Sequence, residues 1–420
     1  MKAIIDCNSF FASCERVFNA ALKRAPVVIL SNNDGCIISR SDEAKALGIP
    51  MGAPYFQWKD KIIANGVHTF SSNYILYGDM SQRVMKVLAD IHPDIEVYSI
   101  DEAFLDLSTY PSQEYEQIGR HIVDTVYRLT GIPVSVGIAR TKVLAKLANN
   151  MAKRNKTACM LLQDEDAVRA VLKSAHVGEI WGIGYRSVKR LQEKGIYDAL
   201  QLVEMPESWI YKHLGGVTGL RLVYGLKGIE TSGSDAVPET KKSIASTRSF
   251  GQPVRKIEDM KEAVATYISI ASEKLRRQRC ACNILSLYMR TDKFKDRSQL
   301  IFRQGYTTFP VATDDTSLMI KEANKIVEQI WEDGLPYKKA GVLLSGIVPA
   351  DAVQTNLFEE NPVYPNQATM KVMDAVNKKF GKRTLHFASL GVRQDWKMRS
   401  GFRSPQYTTR WEEILVVKAG

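Results

Sequence analysis

Six cysteines in 420 residues, Cys7, Cys14, Cys36, Cys159, Cys280 and Cys282, offer no disulfide framework, no C-x-x-C pair and no Cys/His spacing of a zinc site. Free thiols in a reducing compartment are expected. Nowhere do about 18 uninterrupted apolar residues occur, and the apolar start Met1–Phe11 carries Asp6 without a basic leader region. No membrane-spanning or exported chain is expected. Internal repeats and low-complexity tracts are also missing, which argues against a solenoid. What remains is ordinary globular composition, 45% hydrophobic and 25% charged, in a chain long enough for about three domains of roughly 150 residues.

The net charge is +11, and its placement says more than its size. Residues 241–310 hold fifteen Lys and Arg against six Asp and Glu, and residues 371–420 hold eleven against four, so the other 300 residues are mildly acidic. Two basic modules on an acidic body point to a polyanion as partner.

Apolar runs and turn residues alternate from the start. Strands are expected at Lys2–Ile5, Pro26–Leu30, Glu96–Ile100, Ala103–Leu107 and Pro133–Ala139, with helices at 13–19, 84–91, 117–129 and 139–153. A helix-rich stretch spans about 165–230, and Thr231–Pro238 has linker composition. Residues 242–348 read as an α+β unit, with helices at 259–278 and 318–331 and strands at 284–289 and 340–344. After Pro349 the chain is polar and proline-dotted, with only short helical patterns.

Asp6 ends an apolar strand, and Asp101-Glu102 lies between two others. Neighbours in an unbroken strand face opposite ways, so two adjacent acids share one site only if the chain turns there, as a two-residue hairpin would allow. Spacing alone leaves two readings: a solvated acidic turn, or a three-carboxylate cage for Mg²⁺. Two such ions would neutralise charge during in-line attack on a phosphoryl group.

Lys142, Lys146 and Lys153 fall within about 40° of one another at about 100° per residue, and no acid interrupts Arg140–Arg154. That face suits phosphate contact. Phe10-Phe11 follows Asp6 closely; adjacent phenylalanines usually mean that one is core, and the other would rest against a nucleotide sugar and clash with a ribose 2′-hydroxyl. Gly182-Ile-Gly184 opens a helix bearing Arg186, Lys189 and Arg190, where exposed N–H groups can hold a DNA phosphate without reading bases, or simply turn between helices. Arg276, Arg277, Arg279, Arg290, Lys293, Lys295 and Arg297 cluster beside strand-like sequence and suit salt-sensitive backbone contact. There is no aromatic ladder for stacking single strands.

The run Asp6–Glu15, the pair within Ser99–Phe104, the stretch Gly137–Lys146 and the Gly-Ile-Gly hairpin, in that order, resemble the Y-family DNA polymerases over about the first 345 residues. Ser31–Cys36, Phe70–Tyr74 and Tyr407–Arg410 are similar to the catalytic subunit of an error-prone branch. The resemblance implies a right-hand fold of mixed α/β and α+β domains. The palm would be 1–15 with 75–165, the fingers 16–74, a helical thumb 166–232, a linker 233–241, a little finger 242–348 and a basic partner-binding tail 349–420.

It further implies Asp6, Asp101 and Glu102 as catalytic ligands of two Mg²⁺ ions, with the Cys7 carbonyl as an additional ligand and Phe11 at the sugar-gating position. Ser39, Lys45 and Lys153 would meet the incoming triphosphate. Where many members carry Tyr-x-x-Arg, this chain has Asp42-Glu-Ala-Lys45, a change that removes a bidentate donor and for which Arg40 would compensate. Gln354-Thr-Asn-Leu-Phe358 is similar to a sliding-clamp docking peptide with Leu357 and Phe358 as anchors. The implied activity is translesion synthesis and mutagenesis in the SOS response, on primer-template DNA with dNTPs. The implied partners are a dimer of processed UmuD, the RecA filament and the clamp, beside the nucleoid in the cytoplasm. Another palm-type nucleotidyl enzyme such as a cyclase, or a non-catalytic DNA-binding or clamp-regulating protein, stays open as an alternative. No second acidic constellation suggests a proofreading exonuclease.

Overall fold

The fold was obtained as a computed structural model, which describes residues 1–231, 241–292, 300–354, 367–392 and 394–416. The chain divides into two compact units, Met1–Ala236 with Gly401–Gly420, and Val237–Ser400. Of the expected linker only Lys241 is among the described residues, and Lys293, Lys295, Arg297, Leu357 and Phe358 lie outside them. No helix among the described residues is long and apolar enough to cross a membrane.

The first unit begins with β1 (Lys2–Cys7), α1 (Phe10–Val17), β2 (Val27–Leu30), β3 (Ile37–Arg40), α2 (Asp42–Ala46), α3 (Tyr55–Ala64) and β4 (His68–Ser71). It continues through α4 (Tyr74–Ile91), β5 (Ile95–Val97), β6 (Glu102–Asp106), α5 (Tyr115–Thr130), β7 (Val134–Ala139), α6 (Lys142–Asn155) and β8 (Cys159–Leu162). Helices α7 (Glu165–Ser174), α8 (Tyr185–Gln192), α9 (Ala199–Val203), α10 (Glu207–His213) and α11 (Val217–Leu226) follow. The strands form a five-stranded sheet in the order β5-β6-β1-β7-β8 and a three-stranded sheet β3-β2-β4.

Central strand β1 is antiparallel to both β6 and β7. Ala3, Ile5 and Cys7 enter the core with Leu76 and Val84 of α4 and Ile122 of α5, while Ile4 faces Leu144 and Ala148 of α6. Burial on both faces is why this strand reads as a continuous apolar run. Helix α6 is seated closely on β7: a Cβ at Gly137 would stand 2.2 Å from the Ala145 carbonyl oxygen and 2.3 Å from the Asn149 nitrogen. Asn149 fastens the contact, its side-chain N–H donating to the Ser135 carbonyl at 2.7 Å. At the helix start the Thr141 hydroxyl accepts the Leu144 N–H and donates to the Gly225 carbonyl, so one cap ties α6 to α11.

The second unit comprises β9 (Ser243–Val254), α12 (Ile257–Arg277), β10 (Cys280–Arg290), β11 (Phe302–Thr313), α13 (Thr316–Ile330), β12 (Tyr337–Pro349) and α14 (Gln367–Phe380). Its antiparallel sheet has the order β11-β10-β12-β9. The stretch after Pro349 departs from the expectation of short helical pieces in a tail. Helix α14 runs for 14 residues, Met370 and Met373 are buried, and Leu390 and Trp396 join the unit's core, Trp396 lying edge-on to Phe250 and Tyr267. Apolar residues are sparse in this stretch, and Leu390 and Trp396 are buried against the body of the unit rather than in a core of their own.

Candidate active site

Residues of one parity on β1 face α6. The opposing pairs Lys2/Asp106, Ile4/Phe104 and Asp6/Glu102 form a ladder between β1 and β6, with Lys2 and Asp106 ion-paired at 2.7 Å. Asp6 therefore shares a face with Ile4, and α6 lies over that face with its lysines. The Lys146 ammonium donates to Asp6 Oδ2 at 2.9 Å and to Glu102 Oε1, and Lys153 donates to Asp6 Oδ1. Lys146 is only 13% exposed. Lys142 pairs with Glu96 at 2.5 Å and stands 5.4 Å above the Phe104 ring. All three ammonium groups of the expected phosphate face are thus engaged by carboxylates of the sheet.

The turn between β5 and β6 is Tyr98–Asp101, longer than the two-residue hairpin expected, and the Tyr98 and Ser99 N–H groups both donate to the Glu102 carbonyl. Glu102 begins the strand, whereas Asp101 lies in the turn, its carbonyl accepting the Cys7 N–H at 2.8 Å and its carboxylate accepting the Ser99 hydroxyl at 2.6 Å. The two adjacent acids thus have different partners, Glu102 meeting Lys146 and the Asp101 carboxylate meeting Ser99. The Cys7 side chain is buried, and burial pushes its thiol well above the usual range. Burial works to raise the Asp6 pKa, but Lys153 and Lys146 outweigh it and hold that carboxyl below its ordinary value. Glu102 goes the other way: burial, with the neighbouring Asp6, raises it despite Lys146.

Among the described residues no group of three His, Cys, Asp or Glu side chains is arranged to hold a metal as it stands. The donor set nevertheless fits a cation, because the Lys146 ammonium already sits between Asp6 and Glu102 where positive charge is called for.

Phe10 is buried in the core, as one of the pair should be. Phe11 lies flat against Tyr77, centroids 4.6 Å apart at 15°, and edge-on to Tyr74. Tyr74 closes the Phe70–Tyr74 motif, whereas Tyr77 carries no signal in the sequence, because the helix expected there begins only at Val84 and the structure starts it at Tyr74. Ser39 is buried on β3. Arg40 donates to the Ile49 carbonyl at 2.5 Å, which ties it to its own loop. Lys45 donates to Asp42 at 2.7 Å and to the Ser9 hydroxyl at 3.0 Å, reaching the β1–α1 turn.

At the start of α8 the turn plugs Ile183 into the core and leaves Gly182, at φ +96°, and Gly184 exposed. Arg186, Lys189 and Arg190 are exposed along the same helix. In the second unit the expected backbone contacts separate. Arg277 and Arg279 are exposed, but Arg276 is not available in this way. Its side chain is 8% exposed, it bonds Asp374 of α14 in bidentate fashion at 2.7 and 2.9 Å, and it donates to the Asp314 carbonyl and Thr316 hydroxyl. Gln354 is exposed.

Known proteins share this fold. The structure superposes on a Y-family DNA polymerase chimera of Dbh and Dpo4 with a TM-score of 0.68 at 22% identity, covering 83% of this chain and 99% of that one. An insertion ternary complex of Dbh DNA polymerase gives 0.56 at the same identity and coverage. The fold is that of the Y-family DNA polymerases. A model described as the impB/mucB/samB family matches residues 5–150, the C-terminal domain of that family matches 241–357, and a domain of unknown function matches 367–417. The chain is 42% identical to Protein UmuC of Salmonella typhimurium with both chains fully covered, and 25% identical to DNA polymerase IV 1 of Bacillus subtilis over 91% of each. It belongs to the impB/mucB/samB family.

Proposed function

We propose that the chain is an error-prone, UmuC-like translesion DNA polymerase. It joins the α-phosphate of a dNTP to a primer 3′-oxygen, opposite damaged template in SOS mutagenesis, and pyrophosphate leaves. The observation that carries this reading is the Asp6/Glu102 pair facing across adjacent strands, with Asp101 at the turn beside it. Asp6, Asp101, Glu102 and the Cys7 carbonyl are the groups that would hold two Mg²⁺ ions. Such ions, when bound, neutralise charge on the attacking and leaving oxygens.

The chain itself supplies positioning and electrostatics. Lys153, Ser39 and Lys45 hold the triphosphate, the last in reach because its ammonium already touches Ser9 at the mouth of α1. Lys142 and Lys146 are poised to exchange their carboxylate partners for phosphate. Phe11, backed by Tyr77, bars a ribose 2′-hydroxyl. The exposed N–H groups at Gly182 and Gly184, with Arg186 and Lys189, hold the DNA backbone without regard to sequence, as do Arg277 and Arg279.

In this assignment the palm is 1–15 with 75–165, the fingers 16–74, the thumb 166–232 and the little finger 242–348. A dimer of processed UmuD, the RecA filament and a sliding clamp taken through Gln354, Leu357 and Phe358 complete the working complex beside the nucleoid.

Primer extension by the full chain with these partners tests the reading. Asp101→Ala should abolish the product ladder while DNA binding is retained; undiminished extension would remove the assignment.

A further inference from the structure

Residues 401–416 belong to the first unit and are held by specific bonds rather than by apolar contact alone. The Gly401 N–H donates to Asp34 Oδ2 at 2.8 Å. Phe402 and Ser71 exchange bonds, the Phe402 N–H donating to the Ser71 hydroxyl at 2.9 Å and the Ser71 N–H to the Phe402 carbonyl at 3.0 Å. The Asn73 amide donates to the carbonyl and hydroxyl of Ser404, both at 3.0 Å, and to the Pro405 carbonyl at 3.2 Å. Tyr407 stacks on Phe18 with centroids 4.8 Å apart.

At the centre lies Glu15, only 2% exposed. Its Oε1 accepts the Ser404 hydroxyl at 2.9 Å and the Tyr77 hydroxyl at 2.6 Å. A buried carboxylate needs such donors, and here one comes from the end of the chain and the other from the residue on whose ring Phe11 lies.

We propose that residues 401–407 act as a strap that positions the sugar gate. Ser404 fixes Glu15, Glu15 fixes the Tyr77 hydroxyl, and the Tyr77 ring sets the height and tilt of Phe11 beside the nucleotide. Ser404, Glu15 and Tyr77 are positioning residues for sugar selectivity, and touch no substrate themselves. This assigns a role to residues near the end of the stretch, 367–417, that a domain of unknown function matches. It rests on Phe11 being the gate.

The test measures kcat/KM for matched dNTP and rNTP with the full chain and its partners, comparing Ser404→Ala, Ser404→Thr, Tyr77→Phe and Phe11→Ala with the parent. Ser404→Ala and Tyr77→Phe should each lower dNTP-over-rNTP selectivity roughly three- to tenfold, the span of one lost hydrogen bond, with dNTP efficiency and DNA binding kept. Ser404→Thr, which retains the hydroxyl, should restore the parent ratio, and adding Ser404→Ala to Phe11→Ala should change nothing further. If Phe11→Ala alters selectivity while Ser404→Ala and Tyr77→Phe do not, the strap is refuted and the gate stands. If Phe11→Ala leaves selectivity unchanged, both fall. Equal losses for dNTP and rNTP would show a merely structural role and also overturn the proposal.

Discussion

Two cationic helices of the first unit look alike in sequence and behave oppositely. On α6, Lys142, Lys146 and Lys153 are each bound to a carboxylate, the last two at Asp6. On α8, Arg186 and Lys189 are exposed. The difference lies in what each helix meets. Strand parity places Asp6 and Glu102 under α6, so Lys146 and Lys153 compensate largely buried acids in a poorly screened setting, where a lost partner is costly. Charges on α8 are screened by water and salt and add little to folding. A lysine run is therefore a structural counter-charge or a free electrostatic surface according to the neighbouring strand.

Lys146→Met should break the comparison most visibly. It leaves the part-buried Glu102 without its cation and Asp6 with Lys153 alone, and should cost about 3 kcal/mol at neutral pH, measured by urea unfolding. Added Mg²⁺ should restore part of the loss through binding to the folded state. A loss below about 1 kcal/mol would place α6 in the same class as α8.

Gly137→Ala tests the seating of α6. With backbone atoms at 2.2 and 2.3 Å from the new methyl, the helix must lift, at about 1–3 kcal/mol. An unchanged melting temperature would mean that the lysines are held over the acids by something else.

The acid limb of stability sharpens the same point. Asp6 has its folded pKa depressed despite burial, through Lys153 and Lys146. Its contribution is present above the ordinary carboxylate range and is lost as pH falls through the folded value. Lys153→Met should move that loss to higher pH in denaturation midpoints recorded against pH; coincident curves would contradict the pairing.

The smallest stability effect is expected on α8. Arg186→Ala with Lys189→Ala should alter folding by no more than about 0.5 kcal/mol, yet lower the slope of log affinity for DNA against log salt by about 2. A stability loss without a change in slope would reverse the two roles.

Residue type and order were enough to single out Asp6, the Asp101-Glu102 pair and the glycine hairpin as candidates, since an acid ending an apolar strand, adjacent acids at a turn and glycines at a helix mouth are local features, whereas the choice of Phe11 over Phe10 came from the family resemblance. Strand and helix periodicity likewise placed the palm strands and the long helices of both units, but not β3, α2, α3, β4, β8, β9 or β11. Other features depended on residues distant in the chain. The four-residue turn that leaves Asp101 beside the strand, and Lys146 between Asp6 and Glu102, follow from register between β1 and β6 and from the close seat that Gly137 allows α6. Arg276 reads as one more surface arginine until Asp374 arrives from 98 residues away.

Ser404 meets Glu15 across 389 residues, and no local pattern announces that bond. The amino-acid order thus determined which groups could carry charge, stack or turn. Only the tertiary structure decided which of them share a face, because pairing and burial depend on distances that sequence spacing does not encode.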